Sequence, residues 1–151
     1  MPFDLFHTYL ATIKNSVGSG MFRESFLSTP DGEQKDILRN GELSCAFFVS
    51  SILKIYDLID HQHATVSGTI ADLEKNGWTI ISEPRIGSIL VWEKLFSENE
   101  WHSHIGFSVG DELAVSNSKE LRSPQLHHYT YGKEQQRKIT HIFWKEGLDR
   151  T

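Results

Sequence analysis

The chain of 151 residues contains one cysteine, Cys45, and it lacks several other features that would indicate a function class. A single cysteine cannot form a disulfide within the chain, so the fold has to depend on its hydrophobic core. Basic residues are scattered and the formal net charge is -5, which argues against nucleic acid or an anionic membrane as a partner. No apolar run approaches the length of a membrane-spanning helix, so membrane insertion is not expected.

The N-terminus, MPFDLFHTYLATIK, has no basic segment followed by a long apolar one. It therefore does not have the pattern of a secretion signal. The default expectation is a cytoplasmic protein, with leaderless export as the alternative.

About 38% of the residues are hydrophobic and 23% are charged, values ordinary for one compact domain. We find no internal repeat and no low-complexity tract, so a single domain over residues 1–151 is the simplest organisation.

Helical patterns occupy the first half of the chain. The predicted helices are a first one ending at Gly18 to Gly20, a buried one from Ser44 to about Ile59, and one between Thr65 and Asn76-Gly77, with a long loop over 21–43. Strand patterns follow over Trp78–Ile81, Ile89–Trp92, His104–Val109, Leu113–Ser116 and Ile139–Trp144. This order predicts an α+β domain with a mainly antiparallel sheet.

Cys45 lies where a polar turn gives way to the apolar helix, in the segment GELSCAFFVSSIL. If Ser44 caps that helix, Cys45 falls in the first turn. There, the helix dipole favours a thiolate and free backbone N–H groups can hold an oxyanion. The alternative is an inert buried thiol, because free cysteine is among the most buried residue types.

A histidine suited to activate this thiol begins a later strand. In HIGFSVGDELAVSNS, Ile105, Phe107 and Val109 share one face, while His104, Gly106 and Ser108 share the other. The small residues on the second face predict that a helix lies close against it, which would bring His104 to Cys45 as a general base.

A third group should fix the tautomer of the imidazole. A two-residue turn at Gly110-Asp111 sets His104 opposite Asn117, whereas a three-residue loop sets it opposite Ser118 and matches Phe107 with Val115. We favour Asn117 because its amide oxygen is a better acceptor than a hydroxyl. Ser116 and Ser118 are the alternatives.

These motifs resemble those of the papain-like cysteine peptidases and amidases of the cell-wall type, the NlpC-type endopeptidases and the CHAP amidases. Ser44 to Val49 is similar to their cysteine helix, and His104-Ile105-Gly106-Phe107 is similar to their histidine strand. The segments EPRIGSILVWE and AVSNS resemble the preceding strand and the third position. The resemblance implies a papain-like fold over roughly residues 41–118.

The chain also departs from these families. Ser44 stands where NlpC-type enzymes have an aspartate, and Ala46-Phe47 replaces their serine-glycine pair. Their upstream tyrosine-glycine pair has no counterpart in residues 21–43, so no oxyanion-hole side chain is assigned.

The predicted function is cleavage of a peptide or amide bond by a Cys45, His104 and Asn117 triad through an acyl-enzyme. The resemblance makes a peptidoglycan stem or cross-link peptide the leading substrate. Ser44, Trp101 and His102 are the expected substrate-binding residues, and this chemistry needs no metal or organic cofactor. The alternatives are a non-catalytic papain-like binding or immunity module, and a cysteine-dependent acyltransferase or deamidase.

The histidines suggest one further alternative, a zinc site. The His61, His63 and His102, His104 pairs could converge only from strands, and no HExxH pattern or second cysteine accompanies them. His61 and His63 are expected in a solvated loop, and His127 and His128 on a polar surface segment that could border the cleft.

Overall fold

A computed structural model describes residues 1–132 and 136–151. The described chain is an α+β domain, as the order of the sequence patterns predicts. Its helices are α1 (Leu5–Asn15), α2 (Cys45–Ile55) and α3 (Val66–Lys75), followed by a short 3-10 turn at Leu148–Arg150. The strands are β1 (Phe26–Ser28), β2 (Gln34–Asp36), β3 (Trp78–Ile80), β4 (Ile89–Ser97), β5 (Glu100–Gly110), β6 (Leu113–Ser118), β7 (Ser123–His128) and β8 (Ile139–Lys145).

Six strands form one antiparallel sheet in the order β3-β8-β4-β5-β6-β7, and β1 pairs with β2 in a separate hairpin. β4, β5 and β6 are therefore consecutive both in the chain and in the sheet. β5, the strand that carries His104, therefore lies between β4 and β6 in the sheet.

The two faces of the sheet differ in what covers them. The helices lie on one face, where Phe48 and Ile52 of α2 join Ile105 and Phe107 of β5 in the main core. The other face carries a smaller cluster of Leu90, Trp92, Ala114 and Ile142. It is partly covered by Tyr129 and Tyr131, which follow β7, and Trp92 Nε1 donates to the carbonyl oxygen of Tyr129 at 2.6 Å.

Several predicted elements are longer or shorter than the sequence suggested. The region 21–43, predicted as a loop, contains the β1–β2 hairpin, and the strand β7 falls in a segment for which no strand was predicted. α2 ends at Ile55, because Asp57 has a left-handed backbone with φ 53°. The prediction that Thr65 caps α3 is confirmed, since its Oγ1 accepts from the backbone N–H of Gly68 at 3.1 Å.

Asp72 of α3 anchors the loop that follows α2. Its carboxylate accepts from the backbone N–H groups of Asp60 and His61, both at 2.9 Å, and from His63 Nε2 at 2.7 Å. Burial acts to raise the pKa of Asp72, but these hydrogen bonds outweigh it and lower the pKa from 3.8 to about 2. His63 is therefore a structural partner of Asp72.

We predict that Asp72→Asn destabilises the fold near neutral pH. The folded-state pKa lies below the unfolded value, so the ionised carboxylate contributes about 2 kcal/mol above pH 4, which is lost as the pH falls through about 2. Urea unfolding at pH 7 and pH 2 measures this difference. Asp57→Asn, at an exposed position, is the matched control. Equal loss of stability at both pH values would contradict the electrostatic account.

Candidate functional site

Cys45 is the first residue of α2, as the sequence predicts, and its side chain is partly exposed. The backbone N–H groups of Ile105 and Ala46 lie near enough to the thiol to lower its pKa. Ile105 directly follows His104 in β5. The thiol therefore lies beside the strand that carries His104.

The electrostatic surroundings of the thiol act in opposite directions. Burial raises the pKa of Cys45, while the N–H groups of Ile105 and Ala46 and the positive charge of Arg137 lower it, with burial the larger effect. The resting group is consequently a neutral thiol at neutral pH, and it needs a base to become a nucleophile.

Ser44 stands at the N-cap position but does not cap the helix. Its hydroxyl makes no capping hydrogen bond and is buried with no partner among the residues that the structure describes. Its backbone ψ of 5° departs from the extended conformation that side-chain caps adopt. Ser44 is 0% exposed, so its hydroxyl does not reach the surface, and its expected substrate-binding role stays a prediction.

His104 lies on the face of β5 that is turned away from the helices. The expectation that α2 packs against this face is wrong, because α2 packs against Ile105 and Phe107. The space above Gly106 is instead filled by Trp92 and Ser116: a Cβ on Gly106 would lie 3.0 Å from Trp92 Cζ3 and 2.7 Å from Ser116 Cβ. The glycine thus allows β4 and β6 side chains, not a helix, to approach His104.

Ser116, not Asn117, contacts the imidazole. Nε2 of His104 lies 2.9 Å from Ser116 Oγ. The register of β5 and β6 explains why Ser116 and not Asn117 contacts His104, since Phe107 pairs with Val115 and Gly106 pairs with Ser116. This is the register in which the apolar residues Phe107 and Val115 face each other, and it puts the Ser116 side chain on the same face as His104.

Asn117 consequently points to the opposite face of β6. Its side-chain amide donates to the carbonyl oxygen of Gly41 at 2.8 Å, and its Oδ1 is buried with no partner within ranges 1–132 and 136–151. The predicted contact between Asn117 and His104 is therefore wrong. Asn117 instead ties β6 to the loop that leads into α2. The third alternative, Ser118, forms hydrogen bonds with its neighbours Glu120 and Leu121.

Ser116 Oγ is the centre of a wider network. Besides His104, it lies 2.6 Å from Nε2 of His127 and 3.1 Å from the hydroxyl of Tyr131. His127 Nδ1 in turn lies 2.8 Å from the carbonyl oxygen of His128. Three side chains from β5, β7 and the β7–β8 connection thus meet at one hydroxyl.

Aromatic packing and one cation complete the surroundings of His104. The Trp92 ring centroid is 5.2 Å from that of His104. Arg137 donates from Nε to the carbonyl oxygen of Glu93 at 3.0 Å and from Nη2 to that of His102 at 2.8 Å. Burial, then Arg137 and His127, lower the pKa of His104 to about 3. The imidazole is therefore neutral at neutral pH.

Trp101 and His102, predicted to bind substrate, lie on β5 toward the tip of the β4–β5 hairpin. Trp101 is 67% exposed and packs against Phe96, with ring centroids 5.4 Å apart. His102 is partly buried, and its Nε2 lies 3.6 Å from a carboxylate oxygen of Glu100. An exposed aromatic pair is thus available across β4 and β5, with Phe96 on β4 and Trp101 on the strand that carries His104.

The other candidate features do not converge on Cys45. Among the described residues, no group of three or more His, Cys, Asp or Glu side chains is placed to hold a metal ion. Surface grooves of about 600 and 330 Å³ share Glu83, Pro84 and Tyr129, and neither is lined by Cys45 or His104. None of the helices in the described ranges is long and apolar enough to cross a membrane.

Comparison with known proteins yields no match to a family model and none to a curated protein sequence. The function has to be argued from the site itself.

Four residues of the site were not identified from the sequence: Trp92, His127, Tyr131 and Arg137. Trp92 lies on β4, and the positions of His127 and Tyr131 depend on β7 and the residues directly after it. The alternation of Ser123, Gln125 and His127 with Pro124, Leu126 and His128 is a weak strand pattern, and Pro124 hides it. It was the one available signal that His127 shares a face with Ser116.

We predict that Gly106→Ala disrupts the site. The added methyl group would lie 2.7 Å from Ser116 Cβ and 2.8 Å from the carbonyl oxygen of Val115, so β6 must shift away from β5. Overpacking of this kind costs about 1–3 kcal/mol. Urea unfolding measures the loss, and Gly20→Ala, whose new Cβ would meet no atom closer than 3.6 Å, is the control. Equal stability of the two variants would contradict the close packing at Gly106.

Proposed function

We propose that this protein is a papain-like cysteine hydrolase that cleaves a peptide or amide bond. The observation that carries the proposal is the packing of the start of α2 against β5: the Cys45 thiol lies near the Ile105 N–H, and the adjacent His104 is held through Nε2 by Ser116 at 2.9 Å. Within the described residues Nδ1 of His104 has no hydrogen-bond partner. It is the nitrogen left to act on the thiol.

The reaction begins with a neutral Cys45 thiol and a neutral His104 imidazole. Cys45 transfers its proton to Nδ1 of His104 while its sulfur bonds to the substrate carbonyl carbon, and the resulting imidazolium then protonates the leaving amine as the C–N bond breaks. Water, activated by the same nitrogen, resolves the thioester and releases the acid. Ser116 takes the position of the orienting third residue.

Backbone amides supply the stabilisation of the oxyanion. Cys45, Ala46 and Phe47 open α2, where N–H groups have no partner within the helix, and the first bond of the helix runs from Phe48 N to the Ser44 carbonyl oxygen at 2.8 Å. The Cys45 N–H is the donor that an oxyanion on the attacked carbon would reach. Arg137 adds positive charge near the thiol.

Formation of a thiolate–imidazolium ion pair between Cys45 and His104 is unfavourable before substrate binds. Burial raises the pKa of Cys45, and the pKa of His104 is lowered to about 3. Proton transfer is therefore coupled to attack on the carbonyl and does not precede it. The enzyme would thus discriminate against simple alkylating agents, which need a preformed thiolate.

The substrate class follows from the nucleophile and from the exposed aromatic pair. A thioester intermediate suits a peptide or side-chain amide, and Trp101 with Phe96 offers an apolar surface across β5 and β4. A peptidoglycan stem or cross-link peptide is the leading candidate by resemblance to the cell-wall families. If an amine in place of water resolves the thioester, the same site performs acyl transfer.

Acylation by p-nitrophenyl acetate tests the proposal. The expected result is one acetyl group on Cys45 with release of one p-nitrophenolate, seen as a burst and confirmed by mass spectrometry. His104→Ala should slow acylation at pH 7 by about 100-fold or more, the contribution of a general base.

Two variants serve as controls. Cys45→Ala should abolish the burst, and His141→Ala, at an exposed position on β8, should leave its rate unchanged. An acetylation rate in His104→Ala equal to that of the unmodified protein would exclude His104 as the base. It would instead favour a binding module with an incidental thiol.

A further inference from the structure

We infer that His127 is a positioning residue that fixes the tautomer of His104 by setting the direction of the Ser116 hydroxyl. This inference rests on the proposed function, because it assigns a role relative to the base His104. It arises from the hydrogen bonds around Ser116 Oγ, where three polar atoms lie within 3.1 Å of one oxygen.

The proton on His127 Nδ1 follows from its partner. Nδ1 lies 2.8 Å from the carbonyl oxygen of His128, and a carbonyl oxygen can only accept, so Nδ1 carries the hydrogen. A neutral His127 then has a bare Nε2, which can only accept. The atom 2.6 Å from that nitrogen is Ser116 Oγ, so Ser116 donates its single proton to His127.

The remaining contacts of Ser116 are determined by that donation. A hydroxyl has one proton and two lone pairs, so Ser116 Oγ must accept from both His104 Nε2 and the Tyr131 hydroxyl. Burial raises the pKa of Tyr131 to about 12, which keeps that phenol a donor. His104 therefore carries its hydrogen on Nε2, and Nδ1 is the free base. One donation and two acceptances satisfy the hydroxyl completely.

Protonation of His127 would reverse this arrangement. With hydrogens on both nitrogens, His127 Nε2 would donate to Ser116, and the Ser116 proton would turn to His104 Nε2. His104 would then hold its hydrogen on Nδ1, where it cannot take the proton of the thiol. The same three residues thus hold the site in a base-competent state when His127 is neutral and a base-incompetent state when it is charged.

The groups that face His127 favour the neutral form. His104 approaches from β5 through Ser116, the Trp92 ring from β4 lies 5.7 Å away, and the Tyr131 ring is stacked at 4.1 Å. His128 follows in the chain and contributes its carbonyl oxygen. Burial, as the largest effect, lowers the pKa of His127; the hydrogen bond to His128 raises it, and the charge of His128 lowers it.

The tautomer of His104 can be read directly by long-range ¹H–¹⁵N correlation spectra of protein labelled with ¹⁵N-histidine. Unmodified protein should show the hydrogen on Nε2 of His104.

The variant His127→Phe keeps an aromatic ring against Tyr131 but removes the nitrogen that accepts from Ser116. The hydrogen of His104 should therefore move to Nδ1, and acylation by p-nitrophenyl acetate should fall at least tenfold. His127→Gln, whose side-chain oxygen can accept from Ser116, should restore most of the rate. His61→Phe, in an exposed loop, is the control.

The pH profile of acylation gives a second readout that does not require His127→Phe to fold. Unmodified protein should lose activity on the acid side as His127 is protonated, and in His127→Gln that acid limb should move to lower pH. An Nε2–H tautomer with an unchanged rate in His127→Phe, or an unchanged acid limb in His127→Gln, would overturn the inference. Failure of the proposed function has a different signature, because His104→Ala would then acylate as fast as the unmodified protein.

Discussion

The close approach of β4 and β6 over Gly106 is the packing constraint on which the candidate site depends. With no side chain at that position, Trp92 from one neighbouring strand and Ser116 from the other can meet on the outer face of β5. Trp92 and Ser116 together partly enclose the His104 side chain. A helix does not fill this role, since α2 packs on the other face and contributes its N-terminal end to the site.

Two layers of the molecule thus contribute different parts of the candidate site. The helical layer contributes Cys45 with the backbone N–H groups at the start of α2, and the outer face of the sheet contributes the imidazole and its hydrogen-bond network. They meet where the pairing of β5 with β6 stops at Gly106 and Ser116, which leaves the Ile105 N–H available to the thiol. The pKa of His104 is lowered and the pKa of Cys45 is raised, so both the imidazole and the thiol are neutral in the resting state.

Local patterns were enough to predict the coarse fold and two of the site residues. Cys45 at a helix start and His104 on a strand follow from periodicity and turn residues that lie within a few positions of each. The third residue could not be predicted in the same way. The choice between Asn117 and Ser116 depends on a bulge between Ser108 and Gly110 that shifts the register by one residue and exchanges the faces. His127 and Tyr131 depend on the pairing of β7 with β6, and the strand pattern of β7 is hidden by Pro124.

A covalent intermediate on Cys45 is the central claim, and mass spectrometry of protein quenched in acid during turnover tests it most directly. The substrate is a mixture of soluble peptides released from peptidoglycan. We predict that the peptide containing Cys45 gains the mass of the acyl part of a cleaved stem and loses it on treatment with hydroxylamine. Cleavage with Cys45 unmodified at every time point, and equal cleavage by Cys45→Ala, would contradict the account.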